Sequence, residues 1–197
     1  MVQGCTAHEG RDRRSGQAEA TRAANTPSLE REQFSRRAKC SLSFLYPWSQ
    51  LATGVERLRE GATRGGHPDR LPEIHPCVPT VVAATDAKAR EGAAWFVSFF
   101  VTTGTFYRDS LIRQGYGKVV EAVLEANAPK FTGAVPADAD ELLEQLIVYG
   151  TPPEARRRLG RWHEAGANFP TLLLRPDLTP DERALVLETF RPMLRSA

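Results

Sequence analysis

His75 and Cys77 stand two residues apart and come closer to a reactive pair than anything else in the chain. On a strand they share a face, and a histidine beside a thiol can bind a metal or activate a nucleophile. No other cysteine or histidine stands at a helpful spacing. Cys5 and Cys40 are remote in sequence, and an odd number of cysteines is a poor disulfide framework. The pair is therefore read as a core or strand-end feature, and no metal is expected. His163, beside Trp162 on an expected helix, is read as surface. Asp138, Asp140, Glu141 and Glu144 crowd a helix start, where the helix dipole favours acids without any catalytic role. "GYGKVV" lacks the third glycine of a dinucleotide fingerprint and does not follow a strand, and no phosphate-loop pattern occurs.

More weight falls on residues at the ends of expected strands, because parallel α/β folds bind ligands at strand carboxyl ends. Thr85-Asp86 and Arg175-Pro176-Asp177 occupy such places. Arg175 can meet an anionic ligand or bridge to Asp177. Trp95, Phe96, Phe99, Phe100, Phe106 and Tyr107 can line an apolar pocket or pack a core. Thr85, Tyr107 and Arg175 are the pocket candidates this reasoning yields; no catalytic residue is named.

These residues need elements to hold them. Leu51, Val55, Leu58 and Ala62 recur at helical spacing, and Gly65-Gly66 ends the run. "EIHPCVPTVVAAT" is apolar on both alternating faces, as a buried parallel strand should be, although Pro76 and Pro79 remove ladder donors. Thr85-Asp86 opens a helix with Ala93, Val97, Phe100 and Val101 on one stripe, interrupted at "TTGTFY". Helical stretches follow through "YRDSLIRQG" and up to Pro129. "KFTGAVPADAD" reads as a loop, and "ADELLEQLIVYG" as one helix closed by Gly150. Thr151 and Thr179 then start two helices alike, T-P-P-E and T-P-D-E, each with proline at the first helical position and glutamate where a capping box needs it. Ala155, Leu159 and Trp162 form the buried stripe of the first, with Arg156, Arg157, Arg158 and Arg161 largely on its wet side. Gly166 is its left-handed cap. "FPTLLLRP" between the two helices is expected as a short buried strand, and Leu185, Phe190 and Leu194 as the last apolar stripe. Strands alternating with capped helices predict an α/β protein with a parallel sheet.

The 197 residues suffice for one ordinary domain. Residues 1–43 carry eight Lys/Arg against five Asp/Glu and no sustained apolar period, which reads as a disordered tail; Arg11, Arg13, Arg14, Arg36, Arg37 and Lys39 suggest a basic docking arm as the other reading. Residues 44–197 hold eighteen basic against nineteen acidic side chains. A nearly neutral body argues against a nucleic-acid or anionic-membrane partner. The N-terminus lacks a signal-peptide core, no apolar run is long enough to cross a bilayer, and the cysteine usage is that of a reducing compartment, so a cytoplasmic location is expected.

Beyond these readings, "EIHPCVPTVVAATDAKAREGAAWFVSFFVTTGTFYRDSLIRQGYG" followed by "IVYGTPPEARRRLGRWHEAGANFPTLLLRPD" resembles the C-terminal part of bacterial luciferase-like, flavin-dependent oxidoreductases. "GTPPEARRRLGRWHEAGAN" resembles the family's G-T-P-E-E helix leading into the last barrel strand. "GTFYRDSLIRQGYG" resembles its helical region between the seventh and eighth strands, and "FLYPWSQLATGVERLREGA" the helix after the sixth. The resemblance covers residues 44–194. It implies a partial TIM-type (β/α) barrel, the last two to three β/α units, in an eight-stranded family. It also implies a flavin mononucleotide (FMN) or deazaflavin coenzyme and a small organic substrate. The earlier strands hold most of the flavin site in that family, so the resemblance transfers no catalytic residue and implies an isolated chain incomplete for catalysis. An unclosed sheet further implies self-association. A non-catalytic helical module that packs onto another chain is the alternative.

Overall fold

The computed structural model describes residues 39–42 and 45–191. The sequence-based tail, with Cys5 and the arginines of its basic arm, lies outside them up to residue 38, as does Leu194. Strand β1 (Lys39–Leu42) nevertheless falls within the stretch read as tail. After it come α1 (Trp48–Arg64), β2 (Glu73–Val82), α2 (Asp86–Thr103), α3 (Thr105–Leu111), a π-turn (Ile112–Tyr116) and α4 (Gly117–Ala126). A 3₁₀ turn (Ala137–Ala139), α5 (Asp140–Leu146), β3 (Val148–Gly150), α6 (Pro152–Glu164), β4 (Thr171–Leu173) and α7 (Pro180–Phe190) complete the order. No described helix is long and apolar enough to cross a membrane.

β2 is the hub of the sheet. β1, β3 and β4 each pair with it in parallel, at residues 73–76, 80–82 and 77–79 respectively. Ile74 fixes the sides. Its carbonyl accepts from the Asn168 and Phe169 amides at 2.9 and 3.2 Å, and its amide donates to Asn168 Oδ1 at 2.7 Å. Those bonds point towards β4, while β1 runs beside the same stretch, so β1 and β4 flank β2 on opposite sides.

Two cores result. Ile74, Val78 and Val82 on one face of β2 meet Leu51 of α1, Ala155, Leu159 and Trp162 of α6, and Val186 and Phe190 of α7. A second, helical core joins Ala93, Val97 and Val101 of α2 to Val120 and Val123 of α4 and to Leu142, Leu143 and Leu146 of α5. The other face of β2 is less evenly covered: Glu73, His75 and Cys77 are only half-buried, whereas Pro79 is buried and Val81 packs on the helical core. The expected burial on both faces is thus realised along the whole of one and towards the carboxyl end of the other. β4, expected as a buried strand, has Thr171 exposed and Leu172 and Leu173 half-buried, because β2 is its single described strand neighbour.

The segment read as one helix from Ala139 to Gly150 divides. α5 stops at Leu146, and Val148–Gly150 leave helical geometry to pair with β2. Gly150 makes that turn with φ +131°, and a Cβ there would lie 2.7 Å from Glu154 Cγ and 3.3 Å from Arg158 Nη1. Only glycine accepts both the conformation and the contact.

The twin helix starts also differ. At Thr179 both halves of the capping box form: its hydroxyl accepts from the Glu182 amide, and Glu182 accepts from the Thr179 amide at 2.9 Å. At Thr151 no side-chain cap bond forms; the Glu154 carboxylate is taken by Arg157, at 2.6 and 2.9 Å, and the Thr151 amide donates to Asp86 Oδ1 at 3.4 Å instead. Thr179→Ala should therefore cost about 1 kcal/mol in urea denaturation and Thr151→Ala a few tenths at most; equal losses would refute the distinction. Gly166 has the expected positive φ, +108°.

Candidate functional site

The carboxyl ends of β2 and β4 open into a cavity of 290 Å³ lined by Val81, Val82, Ala83, Gly92 and Leu178, with Lys88, Glu91, Arg175, Asp177 and Glu182 as its charged groups. α2 reaches this place because Gly92 lets it lie against the sheet: a Cβ there would sit 2.7 Å from Val81 Cγ1. Arg175 leaves the end of β4 and donates from Nε to Asp177 Oδ1 at 2.9 Å, with a second bond from Nη2. Its guanidinium lies 4.8 Å from the Trp95 ring centroid, in cation–π range. The Asp177 pair raises the Arg175 pKa and, reciprocally, holds the Asp177 carboxyl below its usual range. Lys88 Nζ is 3.8 Å from Glu182.

From Arg175 a row of rings runs along α2 and α3. Trp95 stacks on Phe99 at 5.1 Å and 8°, Phe99 meets Phe100 at 5.3 Å, Phe100 meets Tyr107 at 5.5 Å, and Tyr107 meets Phe106 at 5.7 Å. The row is only partly core, since Phe106 is 69% exposed and Phe99 36%. Phe96 and Val97 fill the interior instead. Of the three pocket candidates, the structure thus joins Arg175 and Tyr107 through a shared aromatic surface. Thr85 does something else: it caps α2, accepting from the Lys88 amide at 3.3 Å, and does not line the cavity.

The His75–Cys77 pair does not form a reactive site. His75 Nε2 turns to Glu73, 3.4 Å away, and its ring sits 5.1 Å from Phe169. Burial pushes the Cys77 thiol up, away from the thiolate a nucleophile needs. Among the described residues no three His, Cys, Asp or Glu side chains gather to hold a metal ion. His163 is exposed, its Nδ1 3.0 Å from the Ala167 carbonyl oxygen.

A second cavity, of 580 Å³, lies between the starts of α2 and α6 and is lined in part by Arg90, Arg157 and Arg158. Each guanidinium is engaged: Arg90 by Asp140, Arg157 by Glu154, Arg158 by Glu144 and Glu154. The sequence reading placed Arg158 on the wet side of α6, whereas its side chain is 12% exposed. Arg158 lies over the Tyr149 ring, 3.7 Å from the centroid, and donates to the Tyr149 carbonyl at 2.6 Å and to Glu144 at 2.5 Å. The Tyr149 hydroxyl donates to the same Glu144 oxygen at 2.7 Å, and Arg161 reaches the other at 3.3 Å. Burial pushes Glu144 up, but the Tyr149 bond and the two arginines outweigh it, and its pKa is lowered. Tyr149 is raised, by burial first and by its bond to that carboxylate second. A signal for Arg158 existed: it stands three after Ala155 and four before Trp162, the spacing of the buried stripe itself. Glu144, read as part of an acidic helix start suited to the helix dipole, is also the anion to which Tyr149, Arg158 and Arg161 donate.

A sequence profile of the family described as luciferase-like monooxygenase matches residues 31–168. Among solved structures, the coenzyme F420 dependent tetrahydromethanopterin reductase of Methanopyrus kandleri aligns with 73% of this chain and 41% of its own, at 19% identity and a TM-score of 0.51. An EDTA monooxygenase from Chelativorans sp. BNC1 aligns with 79% of this chain and 39% of its own, at 15% identity and a TM-score of 0.47. A monooxygenase from Streptomyces bottropensis aligns with 88% and 46%, at 19% identity and a TM-score of 0.45. The chain spans less than half the length of these solved relatives. No curated protein matches it at the same significance.

Proposed function

The chain belongs to the luciferase-like monooxygenase family, and from that premise we propose that it is the C-terminal portion of a flavin-dependent oxidoreductase of monooxygenase type, acting on a small organic substrate in the cytoplasm. The observation that carries this reading is the placement of β2 and β4: both parallel strands aim their carboxyl ends at one cavity, where Arg175 and Trp95 begin an aromatic surface. Barrels of this type build their sites at that face. FMN or a deazaflavin coenzyme would supply hydride transfer or oxygen activation when bound. The ring row from Trp95 to Tyr107 would give the substrate an apolar wall and keep water from it.

The residues of this cavity do not fit the cofactor's phosphate. Lys88 and Arg175 are both engaged, and three carboxylates, Glu91, Asp177 and Glu182, outnumber them. A dianion would have to break those pairs in a net negative setting. The phosphate and most of the ring are therefore assigned to other elements of the barrel, and the isolated chain should be inactive. Titration with FMN and with the deazaflavin, followed by fluorescence, should show no saturable quenching in the micromolar range. Micromolar binding to the isolated chain would mean that it completes a site unaided and would overturn the incomplete-site reading.

The exposed part of the aromatic row supports a second reading, a packing module without catalysis. Phe106, Phe99 and Phe131, the last 41% exposed, present an apolar surface that a partner could cover. The two readings separate once the barrel is completed: flavin binding then appears under the first and not under the second.

A further inference from the structure

We propose that Trp95, Phe131 and Gly133 frame a slot for a flat aromatic ring, held open by the buried Asn127. The inference deepens the oxidoreductase reading, on which it rests for calling the bearer of that ring a substrate; the slot itself stands on geometry. Its starting point is a loop more firmly fixed than a connector needs to be. Asn127, just after α4, is 6% exposed and engages both ends of its amide. Nδ2 donates to the Val123 and Ala134 carbonyls at 2.7 and 2.8 Å, and Oδ1 accepts from the Thr132 and Gly133 amides at 3.1 and 2.9 Å. The Ser98 hydroxyl of α2 donates to the same Ala134 carbonyl at 2.7 Å, and Arg90 Nη2 donates to the Val135 carbonyl at 3.0 Å. Loops positioned by a rigid scaffold are where binding residues concentrate.

What this loop presents is apolar. Phe131 is 41% exposed, and Phe99 on α2 is 36% exposed. Gly133 lies between the Trp95 and Phe131 rings. A Cβ there would stand 3.3 Å from Trp95 Cδ1 and 3.8 Å from Phe131 Cζ, on a backbone with φ +75°. Glycine alone suits that conformation and keeps the point between the rings empty. Trp95 already stacks on Phe99 and carries the Arg175 guanidinium, so it offers the slot its Cδ1 edge. An aromatic edge is electropositive and prefers the face of another ring, which selects a conjugated ring over a saturated one. Area sets the size of the occupant. A buried aromatic side chain covers about 150–250 Å², so the exposed shares of Phe99 and Phe131 together come to about 150 Å². A stable interface takes about 800 Å² from each partner. The occupant is therefore a small molecule and not a second chain.

The test titrates the full chain with naphthol and with decahydronaphthol, its saturated counterpart, following the Gly133 amide and the Trp95 indole by NMR. Naphthol should shift both saturably with a Kd of about 1 mM or tighter, and the saturated alcohol should bind at least about fivefold more weakly. Phe131→Ala removes one wall and Gly133→Ala fills the gap; each should weaken naphthol about fivefold or more. Asn127→Ala should bring the two alcohols towards equal affinity, although a side chain so buried touches neither, and a merely structural role would leave their ratio unmoved. Leu187→Ala, on the 67% exposed side of α7, should change nothing. No saturable shift, equal affinity of the wild type for both alcohols, or unchanged naphthol binding in Phe131→Ala would each overturn the proposal. So would self-association in light scattering that Phe131→Ala abolishes, since a second copy would then fill the slot. Failure of the slot leaves the oxidoreductase reading with a substrate that is not aromatic. Ring binding here, beside a completed barrel that takes no flavin, sinks that reading and leaves the slot standing.

Discussion

Trp162→Ala should remove about 3–5 kcal/mol of folding stability, the range for deleting a fully packed aromatic side chain. Trp162 is 2% exposed and the largest side chain sealed between α6 and the sheet, where it shares a core with Leu51, Ile74, Val78 and Phe190. Its removal leaves a void that two helices and a strand cannot close without shifting against each other. Marginal domains hold about 5–15 kcal/mol in all, so this variant should unfold at far lower urea, or at no urea. Far-UV circular dichroism is the suitable probe, since Trp162 is itself a fluorophore. A loss below about 1 kcal/mol would mean that α6 does not depend on this contact.

The second large effect is electrostatic. Arg158→Met should cost about 2–3 kcal/mol, less than the 3–5 of a fully buried pair because Glu144 keeps 39% of its surface in water. The methionine replaces the aliphatic packing over Tyr149 but leaves Glu144 and the Tyr149 carbonyl without their shortest donor. Adding Glu144→Gln should recover part of the loss, because no carboxylate then stays behind uncompensated. The pH dependence follows from the lowered Glu144 pKa. A carboxyl whose pKa falls on folding adds stability above its unfolded value, ordinarily 4.5, and that stability is lost as pH drops through the lower folded value. Wild type should thus lose stability on acidification below that point, and Arg158→Met should lose less over the same interval. Parallel acid limbs for the two proteins would show that Arg158 does not depress Glu144.

Local chemistry was the legible part of this fold. Thr85 and Thr179 announce helices through capping that involves only neighbours in sequence, and both form as expected. The stripes Leu51–Val55–Leu58 and Ala155–Leu159–Trp162 announce which helix faces are covered. What stayed hidden depends on distant residues. "KCSL" is too short to show alternation, and its strand exists because β2 lies beside it. "IVYG" continues the apolar spacing of Leu142 and Leu146, so nothing local says that pairing to β2 overrides the helix at Leu146. The site divides the same way. The Arg175–Asp177 bridge spans two residues and could be weighed from sequence, whereas Arg175 over Trp95 joins elements 80 residues apart in numbering. The twin starts at Thr151 and Thr179 carry the same signal, and what sets them apart is Arg157 on the Glu154 carboxylate and Asp86, 65 residues away, on the Thr151 amide.

The hub position of β2 also sets a route by which the chain can acquire its shape. Among the described residues no two of the other strands pair with each other, so each described ladder waits for residues 73–82 to become extended. The three closures then join residues roughly 34, 68 and 94 apart. Closing the longest loop costs only about 1 kcal/mol more than closing the shortest, so their order is set less by chain entropy than by which helix is ready to dock. Contacts this remote in sequence slow the search, which places folding nearer the millisecond-to-second regime than that of helical bundles. During synthesis β1 and β2 can meet early, while β4 must wait until a further stretch of roughly 90 residues beyond β2 has emerged.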